Sequence, residues 1–133
     1  MQRNSVMNSR AKGARGERFY ARWLRDTFGL NARRGQQYSG GQDSPDVVGG
    51  FINTHPEVKF VEKLNIDKAM DQAVRDCGNN IPYVAHKKNH RDLLITVRAK
   101  DLEEFCGSVC ATIINMDLTY DKAQSNGQHE RVD

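Results

Sequence analysis

The stretch from Pro45 to Lys59, PDVVGGFINTHPEVK, constrains this chain more than any other. It places Asp46 directly after a glycine-rich loop, then a short turn, then Glu57-Val58-Lys59. Successive side chains of a β-strand point to opposite faces. Glu57 and Lys59 therefore share one face, and Val58 and Phe60 share the other. A carboxylate beside an ammonium, with a second carboxylate on a neighbouring strand, would make a site for a divalent cation and a water. The plainer reading is the charged outer face of an edge strand, and an E-x-K triplet alone does not decide between them. The rest of the chain has to.

At 133 residues the chain has the length of one domain, expected over 9–115, with polar tails at 1–8 and 116–133. Its net charge of +3 hides an asymmetry. Residues 1–34 carry nine Lys/Arg against Glu17 and Asp26, a local +7, while the remainder sums to −4. A basic first segment points to a polyanionic partner through phosphate neutralisation, with a solvated helix face as the alternative. Three cysteines without a CxxC pair indicate neither a disulfide framework nor a zinc ribbon, and suit a reducing compartment. The N-terminus lacks an apolar signal region and no apolar run approaches a membrane span. No membrane partner is expected, and the protein should be cytoplasmic, in a host cell if virally encoded.

The spacing predicts a helix from an N-cap at Ser9 to Phe28, ended by Gly29. Ala14, Glu17, Ala21, Leu24 and Phe28 form one stripe of it, widened by Tyr20 and Trp23. Glu17 is thus an acid on an apolar face, and the positions three and four away hold Gly13, Ala14, Tyr20 and Ala21. No local ion pair is available to it. Either it sits at the stripe's edge and reaches water, or it needs a partner, of which a metal is one candidate. A separate face carries Lys12, Arg15, Phe19, Arg22 and Asp26, whose basic members could meet phosphates.

Leu30–Gln37 reads as a short strand carrying Arg33 and Arg34, and Tyr38–Pro45 as a Gly/Ser/Asp/Pro loop open to close backbone approach. Strands follow at 46–49 and 57–61, with pairing delayed to Glu57 because Pro56 cannot donate. Asn65 or Asp67 can cap a second helix running to Gly78. Strands at Ile81–Ala85 and Leu93–Val97 come next, the second an apolar run suited to burial on both faces. A third helix starts at Asp101. This order predicts an α/β fold with a central mixed sheet flanked by helices.

Glu17, Asp46, Glu57 and Lys59 are the chemical outliers. Carboxylate oxygens suit Mg²⁺ or Mn²⁺, which keep several waters and substrate oxygens. Such a cation can stabilise charge on a scissile phosphate and acidify a bound water. Lys59 could orient that water or hold transition-state charge. Asp43 rivals Asp46 as a ligand, but Asp46 opens a strand, and rigid elements place ligands better than loops. His86 and His90 lie i, i+4 in a lysine-rich stretch without cysteine partners, which favours a loop over a zinc site. Lys87, Lys88 and Arg91 could touch a phosphate backbone or simply keep that loop soluble.

Here the chain resembles a family. The pattern PD-x₁₀-EVK is that of the PD-(D/E)XK nuclease superfamily. With SRAKGARGE, RRGQQYSGGQDSPDVVG and AMDQAVRD in order, the chain is similar to archaeal-type Holliday-junction resolvases and their phage relatives, over about residues 9–105. The resemblance implies a restriction-endonuclease-like αβββαβ core, a homodimer, and Mg²⁺-dependent cleavage of branched four-way DNA junctions. It makes Asp46 and Glu57 metal ligands assisted by the Val58 carbonyl, Glu17 the first-helix acid of the site, and Lys59 the catalytic lysine. Gln72 would support the site from the second helix. Arg33, Arg34 and the Ser39–Ser44 loop would face DNA, alongside Arg10, Lys12, Arg15, Lys87 and Lys88. His55-Pro56 departs from the usual apolar start of that strand. A nuclease acting on other branched or duplex DNA, an RNA endonuclease, or a DNA-binding protein with an inactive site are the alternative functions.

Overall fold

The structure, a computed structural model, describes residues 2–35 and 45–130, and side chains at 11–35 and 45–116. Helix α1 spans Gln2–Phe28. It begins well before Ser9, because the polar residues ahead of Gly13 include no proline to stop it. Tyr20, Ala21 and Leu24 are buried, with Trp23 and Phe28 packed beside them, so the stripe read from the sequence is the core face. Gly29 ends the helix at φ 69°, its N–H donating to the Arg25 carbonyl at 2.9 Å, a left-handed C-terminal cap.

Strands β1 (Arg33–Arg34) and β2 (Val47–Val48) form an antiparallel ladder, with Arg33 opposite Val48. Gly49 follows at φ 80°, and a Cβ there would come within 2.3 Å of the Asn31 carbonyl oxygen. Only glycine fits that approach.

The second sheet has the order β3-β4-β5: Thr54–Lys59, Ile81–His86 and Leu94–Thr96. Strands β3 and β4 are parallel, joined through helix α2 (Ile66–Asp76), and β4 and β5 are antiparallel. The chain is therefore mixed α/β, with a small mixed sheet flanked by helices. Asn65 caps α2 by accepting the Lys68 N–H at 3.0 Å, which settles the choice between Asn65 and Asp67.

Pairing in β3 begins at Thr54, three residues earlier than Pro56 suggests. Val58 donates its N–H to a side chain on the open edge of β3, and alternation then turns the nitrogen of Pro56 to that same edge. The missing donor costs no ladder bond. His55 and Pro56 are both buried.

Strand β5 corrects another expectation: it is a sheet edge, not covered on both faces. Leu93, Ile95 and Val97 pack on the core, while Leu94 is 55% exposed. The apolar run conceals an ordinary alternation. After a 3₁₀ turn at Ala99–Asp101, helix α3 continues from Leu102 to Glu130, through the stretch expected to be a loose tail. Polar composition alone does not end a helix, and no proline lies beyond Pro82.

Helix α3 also anchors the β2–β3 turn. The Thr112 hydroxyl accepts the Ile52 N–H at 2.9 Å, and Ser108 donates to the Ile52 carbonyl. Phe105 completes the seal against Phe51 and Tyr83. The turn that separates Asp46 from Glu57 is thus fixed from outside, which holds the two acids in one place.

Candidate active site

Asp46 precedes β2 and Glu57 lies in β3, and the structure brings them together at the open edge of the sheet. Asp46 Oδ2 accepts the Val58 N–H at 2.9 Å. The carboxylate therefore substitutes for a neighbouring strand at that position. The carbonyl of a strand residue leaves on the same side as its N–H, so the Val58 oxygen shares this edge with Asp46. The Asp46 and Glu57 side chains also hydrogen-bond one another. Two carboxyls can do so only if one carries a proton.

Burial, then the charge of Asp46, raises Glu57 to about 7 against the opposing pull of Lys59. Lys59 Nζ lies 3.3 Å from Glu57 Oε1. Asp46 is also raised, first by burial, with the Val58 N–H and Lys59 opposing. Like charges close together in a partly dry cleft leave the proton shared.

These groups line a cleft of about 560 Å³ between α1, β3 and α2. Glu17, Lys12 and Gln72 line it too, so the sequence-predicted acid, one predicted basic residue and the predicted supporting glutamine reach the same space. Glu17 is 8% exposed, and its Oε2 accepts from Arg34 Nε at 2.6 Å. The partner that no local position could provide comes from β1, seventeen residues on. Burial raises the Glu17 carboxyl first and foremost, and the Arg34 bond opposes that. Arg34, expected to face DNA, makes this ion pair while remaining exposed, as Arg33 is. Among the described residues, no three His, Cys, Asp or Glu side chains are grouped as a cation would need. The cleft's inner donor set is thus Asp46, Glu57 and the Val58 carbonyl, with Glu17 held to one side by Arg34. Two carboxylates and a carbonyl are a donor set that fits Mg²⁺ or Mn²⁺, which keep waters in their remaining positions.

The remaining predicted contacts are spread more widely. Arg15 is exposed and its Nε donates to the Ala11 carbonyl at 3.4 Å. Lys87 bridges to the aromatic surface beside the cleft, and Lys88 is exposed. Ser39 and the side chain of Arg10 lie outside the described residues. His86 ends β4 instead of starting a loop, and its Nε2 is 2.7 Å from Thr96 Oγ1.

Sequence reasoning missed Asp76, whose charge raises both Asp46 and Glu57. It lies one turn beyond Gln72 on α2, and that i, i+4 relation was the available signal. It also missed the pairing of Glu17 with Arg34, for which separation along the chain leaves no local signal. No family model, curated protein or solved structure matches this chain. The site therefore rests on its own geometry.

Proposed function

We propose that this chain is a Mg²⁺-dependent DNA endonuclease of the PD-(D/E)XK type, with Mn²⁺ able to substitute, acting on branched DNA such as four-way junctions. The observation that carries the reading is the meeting in one cleft of Asp46, bonded to the Val58 N–H at 2.9 Å, with Glu57 and Lys59, 3.3 Å apart on β3. Supporting it, the elements run α1-β1-β2-β3-α2-β4, the αβββαβ order of a restriction-endonuclease-like core.

Asp46, Glu57 and the Val58 carbonyl would hold the cation. When bound, it supplies charge neutralisation at the scissile phosphate and a more acidic water. The chain does the rest. Glu57 would release its proton to solvent to present a second anionic oxygen, and Lys59, beside it at 3.3 Å, would place its ammonium against charge developing on the phosphate. Gln72 offers an amide at the cleft wall, and Lys12 at the rim attracts the backbone. Arg34 orients Glu17 and opposes the burial that favours its neutral form. A two-fold homodimer would set two such clefts against the two symmetric strands of a junction; exposed Leu94, Leu102 and Ile114 are apolar surface available for it.

The test is incubation with Mg²⁺ and a synthetic four-way junction beside a linear duplex. Junction-selective nicking that a chelator stops is expected. Equal cleavage of both would leave a general nuclease. Asp46→Asn and Lys59→Ala should each lower cleavage by about 10²-fold or more, the order seen when one charge-stabilising group is removed, while junction binding persists. Normal cutting by both variants would remove this site from consideration.

A further inference from the structure

Next to the carboxylates the cleft ends in aromatic surface that the hydrolytic chemistry does not use. Phe60 follows Lys59 directly and lines the cleft. Its ring meets that of Phe19 on α1 at a centroid distance of 5.3 Å and an interplanar angle of 61°. Phe60 packs on the core, but Phe19 does not, and it is 44% exposed. Lys87 Nζ stands 5.5 Å from the centre of the Phe19 ring. The Lys87 N–H in turn donates to the Lys59 carbonyl at 3.1 Å. Ring, cation and β3 are therefore tied into one unit.

The unit has a built seat. A Cβ at Gly16 would lie 2.9 Å from Phe60 Cγ, so glycine lets Phe60 lie against α1 one residue from Glu17. Phe19 itself interrupts the basic face of α1, between Arg15 and Arg22 and seven residues after Lys12.

An exposed ring with a cation over its face attracts an electron-rich planar partner, and aromatic side chains set among cations are how proteins hold single-stranded bases. A second copy of this face is a poor occupant, because a two-fold contact would oppose Lys12, Arg15, Lys87 and Lys88 to themselves. A nucleic-acid strand satisfies both features at once, its base on the ring and its phosphates on the lysines.

We propose that Phe19, seated on Phe60 and flanked by Lys87, is a stacking platform for an unpaired nucleobase next to the phosphate that enters the cleft. This rests on the nuclease reading of the cleft and deepens it. The base takes the ring face over which Lys87 now stands, and Lys87 moves to the adjoining phosphate. A continuous duplex offers no such base without unstacking one, whereas a branch point, gap or strand end does. Selectivity for branched substrates then comes from an aromatic ring and not from reading base edges.

The experiment measures binding of the full chain, in a chelator, to a four-way junction and to a continuous duplex, with 2-aminopurine at the branch nucleotides. Phe19→Ala and Phe19→Leu should each weaken junction binding about tenfold or more and change duplex binding less than about twofold. Phe19→Trp should restore it. Wild-type binding should quench the 2-aminopurine, and Phe19→Leu should not. An exposed Leu keeps the fold and the apolar contact, so it isolates the ring. Junction binding by Phe19→Leu equal to wild type, or equal losses on both DNAs, overturns the platform while leaving the nuclease reading intact. Failure of the wild type to bind either DNA overturns both.

Discussion

Two buried pairs of polar side chains sit on either side of β3 and behave in opposite ways. Tyr20 and Tyr83 meet hydroxyl to hydroxyl at 2.6 Å, both without exposed surface. Tyr83 also bonds Thr54, whose hydroxyl donates to the Phe51 carbonyl at 2.7 Å. One direction of donation, Tyr20 to Tyr83 to Thr54 to Phe51, satisfies every member. Burial raises both phenols above their ordinary range, so the chain of bonds stays neutral at any physiological pH. Asp46 and Glu57 are the contrast. They hydrogen-bond one another only by sharing a proton, which leaves one negative charge on the pair, and they face a cleft. A satisfied neutral pair fixes a fold; a pair of like charges at a cleft is left for something positive to complete.

The largest effect that separates the two pairs is their response to pH. Glu57 ordinarily titrates at 4.5 and is raised to about 7 in the fold. Its proton is therefore held more tightly when folded. The stability this gives is fully present below 4.5 and is lost as pH rises through about 7. Over that window, in a chelator, the wild type should lose about 2 kcal/mol of unfolding free energy, after allowance for water reaching the cleft. Glu57→Gln, which cannot titrate, should lose much less. Mg²⁺ should flatten or reverse the fall, because a cation binds the deprotonated form. Urea unfolding at several pH values, with and without Mg²⁺, checks this. An equal fall in Glu57→Gln would assign the pH response to other groups.

The tyrosine pair predicts a loss of similar size with no pH or cation dependence. Tyr83→Phe leaves the Tyr20 hydroxyl buried with no acceptor, at about 1–3 kcal/mol. Tyr20→Phe removes only one donor to Tyr83, which still donates to Thr54, and should cost about 1 kcal/mol. The double variant should fall short of the two losses added, since it orphans no hydroxyl between them. Urea midpoints for the three variants give the order; a larger cost for Tyr20→Phe would reverse the direction of donation.

The two pairs were also unequally legible in the sequence. Asp46, Glu57 and Lys59 announce themselves because charge interrupts strand-like runs and alternation assigns their faces. Tyr20 fell within the apolar stripe of α1, but nothing local links it to Tyr83, sixty-three residues away. The same limit hid Arg34 as the partner of Glu17. A carboxylate without a neighbour at helical spacing signals that a partner exists, not whether it is a metal or a distant arginine. Helix α1 was read from period and its end from Gly29, but its start was missed, since a polar segment that lacks proline gives no stopping signal. Strand β5 was placed correctly and its exposure was not, because whether a strand lies at an edge depends on what the chain puts beside it. Pro56 misled for a related reason: its cost depends on which side of β3 is open.

The smallest effects test whether the cleft wall is as closely fitted as the tyrosine core. Gly13 and Gly16 both lie within α1, where glycine is about 1 kcal/mol less favourable than alanine. At Gly13 an added Cβ meets nothing within 4 Å, so Gly13→Ala should stabilise the chain by about 0.5–1 kcal/mol. At Gly16 the same atom would press on Phe60 Cγ and Cβ, at 2.9 and 3.0 Å. Those atoms lie at the root of the ring and cannot swing aside without moving β3. Overpacking of this kind costs about 1–3 kcal/mol, which the helix preference only partly offsets. Gly16→Ala should therefore be neutral to destabilising, by up to about 2 kcal/mol. Shifting Phe60 also shifts its neighbour Lys59, so cleavage should drop more than stability does. Equal gains in stability from both substitutions would mean that Phe60 is not held against α1, and that the aromatic edge of the cleft yields where the tyrosine core does not.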